Sequence, residues 1–422
     1  MHVAVIGAGI SGVSSALALA RAGHRVEVFE QHGSIAAGAS FADAGLMLPI
    51  ALQALVRPRR GWRKLTAWLG GPKATVTASQ QAQRDTQRLL ALASASLLQE
   101  LTPALHLDHA HSQGWTLLLR TEKELKALAP DLSQLASAGI AHSLLDASQI
   151  RQFEPALNPE APLHAALHLP GAPVVNTRQL SQQLRMAAQR AGARFHLDSS
   201  VQRITPGQPV QLHWQRSNPP PRAAASDGDT RPEPPPEIGT PSGSGRFDAV
   251  LLCGGLGSTS LLRELGVKLP LRAAGGCSLT APMSLPEAMP DPGPRSALTD
   301  AQQQITLTRL GDRVRATAMW SEPDARQQAE PETVERLYAA LDLWFPGAAR
   351  HGHHPVWQAS RVAPADGAPV LGASGLPGLW LNLGHPDHGT ALAMGAASAL
   401  TTMISGGTPL IDCSALSPQR WR

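Results

Sequence analysis

"VAVIGAGISGVSSALALARAGHRVEVFEQ" (residues 3–31) is the stretch whose reading decides the fold. Residues 2–6, HVAVI, make a short β-branched run, Ser11 to Ala22 is helix-prone, and Gly23 stands where a C-terminal cap belongs. Residues 25–29, RVEVF, read as a second strand. Between the first strand and the helix lies Gly7-Ala8-Gly9-Ile10-Ser11-Gly12, so the GxGxxG pattern sits in the strand–turn–helix context that gives it meaning. Gly7 permits the tight turn, Gly9 lets the backbone approach a pyrophosphate, and Gly12 lets the helix lie close to the strand. The helix N-terminus then faces phosphates, and Glu30 is placed to accept hydrogen bonds from adenosine ribose hydroxyls. The bland alternative is a βαβ unit with incidental glycines; strand, helix and acid together favour a dinucleotide. The motif does not separate FAD from NAD.

The bulk numbers suit a globular protein. A chain of 422 residues with 43% hydrophobic side chains has room for two domains and a large core. Basic residues exceed acidic ones by four, too small an excess to mark a nucleic-acid-binding surface. Cys253, Cys277 and Cys413 are widely separated, which argues against a disulfide framework or a zinc site and fits a reducing, cytoplasmic compartment. The apolar N-terminus lacks the Lys or Arg of a secretory signal, and no apolar run reaches the roughly 18 residues of a membrane span.

The next segments carry a resemblance. "GASFADAGLMLP" (38–49) resembles the segment that runs beside the flavin in FAD-dependent amine and amino acid oxidoreductases. "HSQGWTLLLRTEKEL", "LLDASQIRQFEPAL", "FDAVLLCGGLGSTSLLRELGVKLPLRAAGGCSLTAP" and "GDRVRATAMWSE" are similar to segments of the bacterial D-amino acid dehydrogenase small-subunit family, within the D-amino acid oxidase and glycine oxidase superfamily. The order and spacing hold from residue 1 to about 420. The resemblance implies FAD, and an α/β fold in which a discontinuous Rossmann-like FAD-binding domain is joined to an α+β substrate domain with a mainly antiparallel sheet.

The expected layout is FAD-binding over 1–80, 166–265 and 361–422, and substrate domain over 81–165 and 266–360. The sequence has matching textures: "ARFHL", "SSVQRI" and "FDAVLLCGG" return to buried parallel-sheet character, whereas "SQQAQRDTQRLLALASASLLQEL" reads as polar helix and "QQITLTRL" and "RVRATAMW" as alternating strands. Residues 218–245 contain eight prolines and almost no large apolar side chain, so they read as a disordered surface insertion whose neighbours "VQLHWQ" and "FDAVLL" can pair as a hairpin. Tyr338, the only tyrosine, sits on an apparent amphipathic helix and reads as core packing, not catalysis.

By the resemblance, Gly7 through Gly12, Glu30 and Gln31 hold the adenosine diphosphate, Val201 meets the adenine, and Gly254 and Gly255 pass near the phosphates. Ser40, Ala44, Gly45 and Leu46 run beside the flavin, and Gly389, Thr390 and Ala391 open a helix whose free N–H groups stabilise negative charge on the reduced ring. "WQASRVAPADGAPVLG" (357–372) resembles the family segment whose arginine fixes the substrate carboxylate, which puts Arg361 in that role. A guanidinium fork suits it, because two parallel charge-assisted hydrogen bonds set the orientation of the α-carbon. His385 aligns with a histidine common in the family and is a candidate catalytic residue together with His388, although Pro386, Asp387 and His388 depart from the usual smaller residues. Asp43, where relatives often carry Asn, and Leu46, where they often carry Gln, are further departures; Asp43 either opposes an anionic reduced ring or points outward. No third ligand stands at metal spacing around His385, His388 or "HGHH" (351–354).

The expected reaction is oxidative deamination of a D-amino acid to a 2-oxo acid and ammonia, with hydride passing to flavin N5 and electrons to a respiratory quinone. "RPRRGWRK" (57–64), five positive charges and a tryptophan, is either a solvated surface or the point of peripheral contact with an anionic membrane. The rivals are a glycine- or sarcosine-type amine oxidase using oxygen, and a flavin-binding protein without turnover or acting on nucleic acid.

Overall fold

The computed structural model describes residues 1–41, 43–49, 77–109, 112–217, 242–284, 291–320, 331–350, 352, 354, 356–385 and 389–421. The basic run 57–64, most of the Pro-rich insertion, His388 and two histidines of HGHH lie outside them.

Among the described residues there are three sheets. The first runs, in order, Val370–Ala373 (β16), Leu379–Leu383 (β17), Ala249–Leu252 (β10), His2–Ile6 (β1), Arg25–Phe29 (β2) and Arg194–His196 (β6). All its neighbours are parallel except β16 against β17. β1 is covered on both faces, as its unbroken apolar run requires. Val3 and Val5 pack towards the helices Ile10–Arg21, Thr177–Arg190 and Gly389–Ile404, while Ala4 and Ile6 pack towards Phe29, Leu212 and Phe247.

The glycine loop is dictated by close approach. Gly7 has φ +95°, and a Cβ there would stand 2.7 Å from the Cys253 carbonyl oxygen; a Cβ on Gly12 would stand 2.0 Å from the Gly7 carbonyl oxygen. The helix therefore packs directly on the strand end, and the chain leaves it through Gly23 at φ +83°.

The second sheet has eight strands in the order Val356–Pro364 (β15), Leu271–Pro282 (β11), Arg313–Trp320 (β14), Ile305–Leu310 (β13), Ala297–Asp300 (β12), Ser112–Leu119 (β3), Ala165–Val174 (β5) and Ser143–Asp146 (β4). All pairings are antiparallel except β12 with β3. One face, with Leu279, Ala316 and Leu307, packs on the helix Pro331–Trp344 through Leu337, Leu341 and Trp344. Tyr338 lies partly buried against that cluster, and its hydroxyl donates to the Gly352 carbonyl at 2.9 Å. The third sheet is the antiparallel set Ser199–Thr205 (β7), Val210–Arg216 (β8) and Ser242–Phe247 (β9).

Several expectations need correction. "SSVQRI" is not a return to the parallel sheet but the edge strand β7, because its partner is the neighbouring β8 rather than β1. The hairpin forms through β8 and β9, so Ser242 to Gly245 are strand and not insertion; Trp214 lies where a Cβ on Gly243 would be, 2.4 Å away, and only glycine admits it. The division at 80/81 falls inside the helix Ala78–Leu105, whose Leu90, Leu98 and Leu101 belong to the core of the parallel sheet. The division at 360/361 falls inside β15 and the one at 165/166 inside β5. Texture marks solvent exposure, and a polar helix with one apolar stripe has the same texture in either domain.

Gly395 sits where the helix Gly389–Ile404 crosses Ala78–Leu105: a Cβ would stand 2.2 Å from the Leu90 carbonyl oxygen, and its N–H donates to Ser94 Oγ at 2.8 Å. Gly395→Ala gains about 1 kcal/mol of helix propensity but must push two backbones apart, which costs about 3 kcal/mol or more. A lower urea midpoint is expected, and an equal or higher one would refute this packing.

Candidate active site

A cavity of about 700 Å³ opens at the carboxyl ends of β1 and β10, where the chain leaves in opposite directions, and runs to the face of the eight-stranded sheet not covered by the helix Pro331–Trp344. Its first end is walled by Glu30, Gln31 and Val201, its middle by Gly7, Gly9, Ile10, Ser11, Gly254 and Gly255, and its far end by Ser40, Arg361, His385, Gly389 and Thr390. Chain segments hundreds of residues apart are thus brought together around one space. Ala8, Gly12, Ala44, Gly45, Leu46 and Ala391 are not in its wall. Ala8 is turned to Glu30, and Gly12 supports the turn from behind. Gly45, φ +72°, is wedged against Val175, with a Cβ 1.8 Å from its carbonyl oxygen. Leu46 is bridged to Val174 and buried with Trp115 and Leu117, so it packs in the second sheet instead of along the cavity. Ala44 instead offers its carbonyl oxygen to Thr308 Oγ1 at 3.2 Å, and Ala391 is buried in the parallel-sheet core.

The glycine end fits an adenosine diphosphate. Gly9 caps the helix Ile10–Arg21 without a side-chain hydrogen bond, leaving the N-terminus to the cavity apart from Ile10 N–H, which donates to Ser40 Oγ at 3.1 Å. Ser258 Oγ, beside Gly254, is buried and has no hydrogen-bond partner among the described residues. Glu30 accepts from Ala8 N–H at 2.6 Å and from His32 N–H at 3.0 Å, so the acid also fixes the loop it faces.

At the far end Asp43 points inward. Its Oδ1 accepts from Gly45 N–H at 2.6 Å and from the hydroxyls of Thr177 and Thr390, each at 3.1 Å. Behind it Arg315 donates to the Asp43 carbonyl at 3.1 Å and to Thr280 Oγ1 at 2.9 Å. Arg361 stands in the middle of β15, opposite Ala274. Burial draws its guanidinium down to about 10 while Asp43 acts the other way, so it is charged at neutral pH. Burial likewise brings Arg315 to about 10, with Asp43 opposing the shift. Trp357, in the cavity wall, stacks on Phe41 at 3.9 Å between ring centres, and the Arg178 guanidinium lies over the Phe41 ring at 4.0 Å.

His385 is held by a directional chain. Asn382 Nδ2 donates to Ser15 Oγ at 3.1 Å and Ser15 donates to the Ser11 carbonyl at 2.7 Å, so Asn382 Oδ1 is left to accept from His385 Nε2 at 2.6 Å. The proton on Nε2 makes Nδ1 an acceptor, and Nδ1 is buried with no partner among the described residues. Burial lowers the ring to about 4, keeping it neutral. Cys253 lies beside Ser15 and Asn382, and burial pushes its thiol up to about 12, so it is no nucleophile. All three cysteines are free and buried. Among the described residues no group of three His, Cys, Asp or Glu could hold a metal ion, and no helix is long and apolar enough to cross a membrane.

Sequence reasoning missed Asn382, Ser278, Thr317, Trp357 and Arg315 as parts of this region. Asn382 had a signal, being the one polar residue of LWLNL and almost fully buried. The others are joined only by strand register.

Comparison with known proteins agrees with this geometry. The family model described as FAD dependent oxidoreductase (DAO) matches residues 2–403. The chain is 29% identical to a D-amino acid dehydrogenase of Cereibacter sphaeroides, covering 100% of this chain and 95% of that one. It is 30% identical to a D-amino acid dehydrogenase of Rhizorhabdus wittichii over 100% of both. Its fold is similar to that of glycine oxidase from Geobacillus kaustophilus, with a TM-score of 0.77, 20% identity and coverage of 99% and 98%.

The buried His385 has a consequence for acid stability. With a folded value near 4 against 6.5 for a free ring, the folded state resists protonation. Its contribution is full above about pH 6.5, falls as the pH drops towards 4, and changes no further below; the loss approaches about 3 kcal/mol. His385→Gln should flatten that limb of the urea midpoint against pH, leaving the smaller parts due to His24 and His168, which burial also lowers. An unchanged limb would show that the ring is solvated.

Proposed function

Because the chain belongs to the FAD dependent oxidoreductase (DAO) family, we propose that it catalyses oxidative deamination of a D-amino acid to a 2-oxo acid and ammonia. The observation that carries this reading is Arg361, the only Arg or Lys among the described residues that line the cavity. FAD, when bound, supplies the two-electron acceptor for the hydride leaving the α-carbon. Gly7, Gly9, Ile10, Ser11, Glu30, Gln31, Val201, Gly254 and Gly255 are the residues to hold its adenosine diphosphate end, with Ser40, Gly389 and Thr390 towards the ring.

The chain's own residues orient the substrate. Arg361 pairs with the carboxylate through its fork and fixes the plane about the α-carbon. His385 Nδ1, an acceptor with its proton side committed to Asn382, takes a hydrogen bond from the substrate nitrogen and favours the amine with its lone pair available. The aromatic pair Trp357 and Phe41 limits water at the side of the cavity. The imino acid that forms hydrolyses to the 2-oxo acid and ammonia without a protein nucleophile, consistent with the protonated Cys253. Electrons pass to a respiratory quinone, with the 57–64 segment as the part of the chain suited to peripheral contact with an anionic membrane; the names of the relatives support a dehydrogenase. A second reading, an oxidase passing electrons to oxygen, is favoured by the likeness to glycine oxidase. Hydrogen peroxide formation under air separates the two.

In an anaerobic titration D-alanine should bleach the flavin absorbance of the holoenzyme. Arg361→Ala should retain FAD and lose about 3–5 kcal/mol of productive binding, a fall of 10²–10³ in kcat/KM or more. A kcat/KM unchanged in that variant would remove Arg361 from the site, and no bleaching by any D- or L-amino acid or N-methylglycine would end the reading.

A further inference from the structure

One row of hydroxyls crosses the cavity face of the eight-stranded sheet, and its members are satisfied unequally. Register sets Ser278 of β11 opposite Thr317 of β14, Thr317 opposite Thr306 of β13, and Thr306 opposite Thr299 of β12. Outside the cavity wall the row is paired: Thr299 Oγ1 accepts from Trp115 Nε1 at 2.8 Å and lies 2.9 Å from Thr306 Oγ1. Ser278 and Thr317 are in the wall, at 2% and 3% exposure, and neither hydroxyl has a hydrogen-bond partner among the described residues, including the other. Their strand neighbours Cys277, Leu279, Ala316 and Ala318 fill the opposite face with the helix Pro331–Trp344, so alternation turns Ser278 and Thr317 to the cavity. A buried hydroxyl without a partner is destabilising, so a row that is paired behind the wall and open within it marks a place for polar ligand atoms.

We propose that this pair of hydroxyls recognises a carboxamide on the substrate side chain, making the preferred substrate an amino acid of the asparagine or glutamine type. This rests on the reading of Arg361 as the clamp for the α-carboxylate. Arg361 stands opposite Ala274, on the same face of β11 as Ser278, and the pair between them is Gly276 with Ala359, which leaves the wall there bare of long side chains. The choice of group follows from hydrogen-bonding capacity. Each hydroxyl brings one donor and lone pairs that accept, and because the two do not bond each other they present two separate points. A carboxamide carries an acceptor oxygen and a donor nitrogen in one plane, so it accepts from one hydroxyl and donates to the other. An isopropyl group of the same shape leaves both hydroxyls unpaired, and a carboxylate offers no donor.

The test uses the holoenzyme and three unreactive acids of one shape, succinamate, succinate and 4-methylpentanoate, titrated against the visible flavin spectrum. Succinamate should bind at least tenfold more tightly than 4-methylpentanoate and more tightly than succinate. In Ser278→Ala/Thr317→Val its advantage over 4-methylpentanoate should fall below threefold, with FAD retained. Equal or tighter binding of either rival acid to the unaltered protein overturns the proposal, as does a double variant that keeps the full preference or that loses FAD instead. If the double variant fails to fold, the comparison on the unaltered protein still decides. Anaerobic bleaching then separates this proposal from the one beneath it: D-asparagine should outpace its isostere D-leucine. Bleaching by D-alanine with no succinamate preference sinks the subsite alone, and a succinamate preference without bleaching by any amino acid sinks the redox reading alone.

Discussion

A single carboxylate oxygen holds the far end of the molecule together. Asp43 Oδ1 accepts from the Gly45 N–H, from Thr177 at the start of one helix and from Thr390 at the start of another. Those partners belong to a loop, to a helix beneath the parallel sheet, and to the helix that ends the cavity. Anions are stabilised at helix N-termini, so a charge that would be costly beside an apolar ring is tied to hydroxyls and peptide dipoles. The Asp43 backbone carbonyl also receives Arg315 from the second sheet. The two sheets can therefore face each other across an open cavity without collapsing onto it.

This arrangement changes the meaning of a residue that looks like a defect. An acid where relatives often carry an amide threatens the anionic form of a reduced ring. Here the carboxylate is matched by Arg361 and Arg315, whose guanidiniums it helps to keep charged against their burial.

What was legible in the sequence was local. The Gly7 to Gly12 loop, its flanking strands and the terminating Gly23 could be read because backbone geometry within about 30 residues dictates them. Arg361 and His385 were reachable by likeness of segment, and the structure brings them to one cavity wall. The domain divisions were not legible: the helix Ala78–Leu105 and the strand β15 each carry a pattern that suits either body, and only the partner strand or helix decides. Leu46 was misplaced for a related reason, since its neighbour Gly45 turns the chain away from the cavity and into contact with Val175. Ser278 and Thr317 meet through a β11–β14 register that no local signal announces.

The two sides of the cavity use opposite electrostatic devices. On the sheet side, charge is kept: guanidiniums are buried but remain cationic, and orientation comes from fixed forks. On the side of the parallel sheet, charge is suppressed: His385 is neutral, Cys253 is a thiol, and the Ser11–Ser15–Asn382 relay fixes where the imidazole proton lies. On the proposed reading, a zwitterionic amino acid meets the Arg361 guanidinium at its carboxylate and a neutral acceptor, His385, at its nitrogen. A neutral acceptor at the nitrogen favours the amine that has lost its proton, which frees the lone pair that oxidation at the α-carbon requires.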